Sequence, residues 1–247
     1  MEKPPPLEPL PEDWSRALAV VAHPDDMEFG SAGAVARWTG QGKEIVYCMV
    51  TSGEAGIDSM HPDECRSVRE AEEIESARVV GVDEVEFLRL PDGILEYGVP
   101  LRRAIASVVR RHRPEIVITN NFRESWGGES LNQPDHIATG RAAVDAARDA
   151  ANRWVFHDQI KAGLQPWDGV RQVWAGASPR AQHGVDITDT FDTGVASLSA
   201  HRAYVAGLGW PGFDPAEFLE GMSRAAGSRM GIAHGAAFEV FSLRWGD

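Results

Sequence analysis

The sequence predicts an α/β fold: a Rossmann-like three-layer sandwich with a mostly parallel sheet and an active site at the C-terminal ends of its strands. Three observations predict it. Short apolar runs alternate with segments of helical spacing through the first two-thirds of the chain. The first run, Ala17-Leu18-Ala19-Val20-Val21-Ala22, ends abruptly in His23-Pro24-Asp25-Asp26. Small residues from Ser31 to Ala34 then open a helix. Alternation of this kind argues for βαβ units, and open parallel sheets build their sites beyond the C-terminal strand ends.

In order, strands are expected at 18–22, 44–50, 85–90 and 115–120, with helices at 31–39, 64–80, 101–111 and 136–152. The last third changes character. Short strands are expected at 170–175 and 184–187, a helix at 193–206, and a closing strand at 237–245. Asp214-Pro215-Ala216-Glu217 combines an N-cap, a Pro at the first helical position and a capping-box Glu, so another helix starts there.

At 247 residues and 43% hydrophobic, the chain can bury the core of one α/β domain. No segment approaches the roughly 18 uninterrupted apolar residues of a membrane span. Residues 1–13 are Pro-rich and acidic and lack a signal peptide's apolar core. They read as an extended leader to a single domain at 14–247, in a cytoplasmic protein without membrane association. Cys48 and Cys65 form no pairing pattern and read as free thiols. A net charge of −13 argues against a nucleic-acid partner. The one basic cluster, Arg110-Arg111-His112-Arg113, falls where cations complement a helix dipole and reads as a solvated face. The oligomeric state is left open, a homo-oligomer included.

An imidazole and two carboxylates within four residues are the material of a metal site with a base beside it. A helix cap competes for Asp25 and Asp26, but two adjacent acids gain little from capping one helix. They gain more if one binds a cation and the other polarises its water. His61-Pro62-Asp63-Glu64 has similar composition but follows no strand; there Asp63 reads as a helix cap and His61 as a surface residue. A catalytic zinc takes three protein ligands, so His23 and Asp26 need a third. His112, His136, His157, His183, His201 and His234 are candidates. His136 stands out, because Gln133-Pro134-Asp135-His136 ends a long loop and opens a helix at the sheet edge that carries His23. Asp135 beside it can orient an imidazole. Asp92 reads equally as a plain turn residue or a group facing the cleft, and Trp126 as a packing anchor or a sugar-stacking lid. No Gly-x-Ser-x-Gly or Gly-x-Gly-x-x-Gly occurs in the regions where a serine hydrolase or dinucleotide enzyme needs one.

Ala22-His23-Pro24-Asp25-Asp26 with Glu28 and Gly30, Thr51-Ser52-Gly53-Glu54, Arg69 with Glu72 before Val80-Gly81-Val82, and Pro134-Asp135-His136 resemble the LmbE-like (PIG-L) family of zinc N-deacetylases. The resemblance implies hydrolysis of an N-acetyl group on a small N-acetylglucosamine-type substrate. It implies Zn2+ (or another divalent metal) on His23, Asp26 and His136, Asp25 as general base, and Arg69 and Glu54 on the substrate's side. Without it, Arg69 reads as half of a surface ion pair with Glu72 or Glu73. An amidase on a larger conjugate, or a metal- or sugar-binding protein without turnover, are the alternatives. One position departs from the family pattern: Gln133 stands where a histidine is common. Glutamine donates a hydrogen bond but shuttles no proton. Either Asp25 serves as both base and acid, or another histidine such as His234 takes the acid's part.

Overall fold

The computed structural model describes residues 4–243. In chain order the elements are β1 (Glu8–Pro9), β2 (Arg16–Val21), α1 (Ala32–Gly40), β3 (Glu44–Met49), α2 (Pro62–Val79), β4 (Glu84–Phe87), α3 (Val99–His112) and β5 (Ile116–Asn120). There follow β6 (Ser125–Gly127), β7 (Ser130–Leu131), α4 (Pro134–Ala151), α5 (His157–Lys161), β8 (Gln172–Gly176) and β9 (His183–Asp186). The chain ends with α6 (Phe191–Ser199), α7 (Arg202–Gly207), α8 (Pro215–Met230) and β10 (Gly235–Ser242).

One sheet runs β1-β9-β10-β8-β5-β2-β3-β4. The stretch β8-β5-β2-β3-β4 is parallel, and β10 lies antiparallel between β8 and β9. Central strands of such a sheet are covered on both faces, so their alternating residues are apolar on both sides. Ala17, Ala19 and Val21 of β2 join Trp38, Tyr47, Trp174 and Phe238 under α1. Leu18 and Val20 face the other way, onto Ile105 and Val109 of α3 and the alanines of α4. The site-bearing turn after β2 thus leaves a strand fixed from both faces, with β5 and β3 as its neighbours.

Four local expectations are revised. The described part of the expected leader is extended, yet built into the fold. Glu8–Pro9 pairs with β9, and Leu7 and Leu10 are buried. Glu12 accepts from Arg37 Nε (2.9 Å) and from the indole of fully buried Trp38 (2.8 Å). The basic cluster is not a solvated face throughout. Arg110 is buried and donates to the carbonyls of Asp149, Ala150, Asn152 and Val155, satisfying the last turn of α4 and the segment just after it. The helix expected at 193–206 breaks into α6 and α7 at Ala200–His201, which turns His201 into the interior. His61, rather than Asp63, caps α2, accepting from the Asp63 amide at 3.3 Å. The Asp214 cap holds, with its carboxylate 2.9 Å from the Glu217 amide. The closing strand ends at Ser242, and the last residues of its expected range (244–245) lie outside the described residues. Cys48 and Cys65 are free and buried, and no described helix is long and apolar enough to cross a membrane.

Glu12→Ala should lower unfolding stability in urea by about 1–3 kcal/mol, because it leaves the buried Trp38 indole N–H without its acceptor. A loss of this size, absent from an exposed control such as Glu8→Ala, would show that the Pro-rich segment is part of the cooperative fold.

Candidate metal centre

Asp26 is fixed before it meets any ligand. Its Oδ2 accepts the backbone N–H groups of Ala22 and His23, both at 2.9 Å, and Asn120 at the end of β5 donates to Oδ1 at 3.2 Å. His136, in the first turn of α4, brings Nε2 to 2.9 Å from Asp26 Oδ1 and 3.2 Å from His23 Nδ1. The sheet order explains the meeting: β2 and β5 are adjacent, and their C-terminal ends deliver the two halves of the cluster.

The outer nitrogens of both imidazoles are already engaged. His23 Nε2 lies 3.0 Å from Asp92 Oδ1 and 3.5 Å from Asp135 Oδ2. His136 Nδ1 lies 2.9 Å from Asn132 Oδ1. That oxygen must be the acceptor, because Asn132 Nδ2 is used by the carbonyls of Asn121 (2.7 Å) and Arg123 (2.9 Å). The N–H of each ring therefore points outward, and two nitrogen lone pairs and a carboxylate oxygen converge on one point. Ligands at about 2.0–2.1 Å in tetrahedral array stand about 3.3 Å apart, close to the separations here. The donor set fits a divalent metal. Burial opposes charge on His23, but Asp135, Asp26 and Asp92 outweigh it and hold its pKa well above the usual value. Burial likewise opposes charge on Asp26, and His136 and His23 bring it well below the usual carboxylate range. The site is thus built to hold positive charge.

Asp25 lines the same cavity as the three donors, from a different backbone state. Its φ is +89°, a conformation that non-glycine residues seldom adopt. Three contacts hold it: its N–H donates to Glu73 Oε2 (3.0 Å), Arg69 donates to its Oδ2 (2.6 Å), and Arg69 also donates to the Pro24 carbonyl. Burial pushes the Asp25 pKa up, Arg69 pulls it back and Asp26 raises it, leaving it at about 6. A carboxylate in that range can both take and return a proton near neutrality.

Of the other residues singled out in the sequence, Asp135 is at the cluster. It accepts from the Gly93 (2.7 Å) and Leu95 (3.0 Å) amides and so ties the loop carrying Asp92 to α4. Gln133 caps α4, lines the cavity and makes no side-chain hydrogen bond among the described residues. Arg69 also lines the cavity, but its charge is spent on Asp25 and its ring neighbour is Tyr204, 3.7 Å away. It pairs with neither Glu72 nor Glu73. Glu54 is turned inward to the amides of Ser52 (3.2 Å) and Asp92 (3.3 Å), where it shapes the loop after β3. His234 stacks on Phe191 at 4.2 Å and meets Ser223, away from the cavity lining. His112, His157 and His183 are also elsewhere.

Sequence reasoning missed Asn120, Asn132, Glu73 and Tyr204. Asn132 stands four residues before His136, a spacing that could have suggested it. The others come from distant elements and carry no local signal.

Behind Asp25 lies a second fully buried group, Glu28, Glu73 and His201. His201 Nε2 is 3.8 Å from Glu28 and 3.6 Å from Glu73. Burial raises Glu28 to about 7 and pushes Glu73 well above the usual carboxylate range, and burial with the Arg69 charge lowers His201 to about 3. Burial thus opposes charge on all three members of the group. The group supports the Asp25 turn without adding a strong charge beside it.

The metal cluster, Asp25, Gln133 and Trp126 open into one cavity of about 1070 Å³. Its remaining walls include the loops after β3, β5 and β8 and the α7–α8 region. The Trp126 ring stands edge-on to His136 at 5.6 Å.

Comparison with known proteins agrees with this geometry. Diacetylchitobiose deacetylase of Thermococcus kodakarensis is 26% identical over 205 residues, covering 82% of this chain and 75% of its own. The 1D-myo-inositol 2-acetamido-2-deoxy-alpha-D-glucopyranoside deacetylase of Kineococcus radiotolerans is 31% identical over 173 residues, covering 55% of this chain and 46% of that relative. Among solved structures, N,N'-diacetylchitobiose deacetylase from Pyrococcus horikoshii, complexed with its inhibitor MPG, superimposes with a TM-score of 0.83 at 25% identity. That match covers 94% of this chain and 85% of the other. The model of the PIG-L family, described as GlcNAc-PI de-N-acetylase, matches residues 18–147, more than half of the chain and every residue of the metal cluster; the chain belongs to the PIG-L family.

Proposed function

We propose that this protein is a metal-dependent N-deacetylase that hydrolyses the acetamide of an N-acetylglucosamine-type substrate to acetate and a free amine. The observation that carries this reading is the convergence of three metal donors in a cavity that a separately held, ionisable Asp25 also lines. The deacetylase relatives support it, and so does the donor set. Two imidazoles, one carboxylate and an open side facing a cavity suit catalytic zinc.

A zinc ion on His23, Asp26 and His136 would supply Lewis-acid polarisation of the acetamide carbonyl and make a nearby water easier to deprotonate. Asp25 takes a proton as the water oxygen bonds to the acyl carbon. Arg69 keeps its carboxylate aimed and partly ionised against the burial that opposes charge. Gln133, with its amide free at the cavity wall, can donate to the oxygen that gains charge. Breaking the C–N bond needs a proton on the departing nitrogen, and Asp25 returns the one it took. His234 is engaged with Phe191 and Ser223 and is not among the lining residues, which favours Asp25 for both steps.

The direct test is acetate release from a panel of N-acetylated amino sugars, assayed with and without added zinc. Acetate from none of them at full zinc occupancy would overturn the reading. Asp25→Asn should keep its metal content while kcat falls by about 10²–10⁴-fold, the usual contribution of a positioned proton-transfer group; His136→Ala should lose metal and activity together. Because Asp25 must be ionised to take a proton, kcat/KM should fall below pH about 6 as it becomes protonated. Arg69→Gln removes the cation that lowers the Asp25 pKa, so this acid limb should move by about 1–3 pH units to higher pH.

A further inference from the structure

We propose that the substrate carries an uncharged, apolar aglycone on its N-acetylamino sugar, and that Phe29, Leu208, Trp210, Phe218 and Met222 form its subsite. The inference rests on the deacetylase reading and specifies what that site takes.

The cavity is larger and less polar than one sugar needs. At about 1070 Å³ it lies just above the range of about 300–1,000 Å³ for pockets that enclose whole drug-sized ligands. The metal donors, Asp25 and Gln133 line one part of it, with Trp126 edge-on to His136; of the polar residues elsewhere on the lining, Ser178 is spent on Glu239 and Arg229 on backbone carbonyls. A sugar placed at the metal donors leaves the other wall unfilled. That wall is aromatic and held in place by itself: Phe29 meets Phe218 at 5.5 Å edge-on, and Trp210 packs on Phe213 at 5.5 Å.

Exposure points the same way. Nine large hydrophobic residues are exposed among those described, and four of them, Trp126, Leu131, Trp210 and Met222, line this one cavity. Scattered apolar residues need no explanation, but a contiguous rim around a pocket marks a binding surface. Trp210 is 58% exposed, so the apolar wall runs out to the mouth. A group reaching it can extend away from the reacting amide, as an aglycone does. An N-acyl chain would have to start at the carbonyl held over Asp25 and Asp26, which are 5% and 6% exposed.

Charge does not favour an anionic conjugate over a neutral one. Arg69 and Arg229 are the only arginines on the lining, and no described lysine joins them. Arg69 is paired with Asp25. Arg229 gives its Nε to the Pro5 carbonyl (2.8 Å) and Nη2 to the Ala181 carbonyl (2.9 Å). The chain's net charge of −13 adds a repulsive field for any anion.

The experiment measures acetate or acyl release by the zinc-loaded wild-type protein from five compounds. These are octyl N-acetyl-β-glucosaminide, N-acetylglucosamine, N,N'-diacetylchitobiose, N-acetylglucosamine 1-phosphate and N-octanoylglucosamine. The octyl glycoside should exceed each of the others in kcat/KM by about 10-fold or more, the scale on which an apolar pocket discriminates. Most of the gain should lie in KM, since a wall remote from the amide binds ground and transition states alike. Trp210→Ala should reduce the octyl-to-N-acetylglucosamine ratio by about 10-fold, and the wild-type panel decides the matter if that variant does not fold. Equal rates for all five, or a preference for the phosphate, the disaccharide or the N-octanoyl compound, would overturn the subsite while leaving the deacetylase reading standing. Release from none of the five would overturn that reading and the subsite with it.

Discussion

The backbone of Asp25 is the constraint on which the site depends. At φ +89° it sits where a side chain is strained, at a cost of about 1–3 kcal/mol for such a residue. The strain has a purpose that the neighbouring residues make plain. Asp26 is held inward by the amides of Ala22 and His23, so its carboxylate continues the line of β2 into the metal cluster. Asp25 cannot follow the same path. Its turn rotates the second carboxylate onto the cavity side, and Glu73 and Arg69 fix it from behind. Two adjacent acids of identical chemistry are thereby given opposite electrostatics: one is pulled far down by two imidazoles, the other is raised to about 6 by burial.

How much of the fold and the site is legible in the sequence depends on how local each interaction is. The strand that ends in His23-Pro24-Asp25-Asp26 carries its own signal, because an apolar run that stops at charged residues has few other uses. His136 is legible for the same reason, standing among the first helical residues after a strand-end loop. Arg69 shows itself as a functional residue through the family pattern, but its partner does not. The pairing with Asp25 spans 44 positions and exists only because α2 packs beneath the turn. Asp92 looks equally like a turn residue, and contacts from other elements place it on His23: Asp135 fastens the amides of its loop and Glu54 accepts its own amide. Arg110 belongs to a run that reads as a solvated basic face. Its burial follows from four carbonyls in the last turn of α4 and the segment just after it that need donors, a requirement the run itself does not display. The break at Ala200–His201 is hidden for a related reason: helical spacing continues through it, and what turns the chain is the amide-binding Glu72 on another helix.

That helix, α2, shows why the hydrophobic pattern understates the core around the site. Arg69, Glu72, Glu73 and Ser76 recur at the spacing by which an amphipathic helix normally places its apolar stripe, and all four are buried. Periodicity alone would turn this face to solvent. Each of its polar groups instead serves the site: Arg69 and Glu73 hold Asp25, and Glu72 accepts the amides of Ala203 (2.6 Å) and Tyr204 (3.3 Å) at the start of α7. Ser76 donates to Glu28, two residues beyond the cluster.

Buried charge of this kind is weak ground for stability, and apolar residues of similar size commonly pack as well or better. An apolar stripe on α2 could fill the same volume, but it would leave the Asp25 amide without an acceptor and its carboxylate without a counter-charge. The turn would then relax toward ordinary dihedral angles, and both acids would point along β2. The polar face of α2 is therefore best understood as the element that separates the two carboxylates. The same face sets Tyr204 beside Arg69 and so fixes where α7 begins the cavity's aromatic wall. One helix thus sets both the proton-transfer group and the side of the site from which a substrate must approach it.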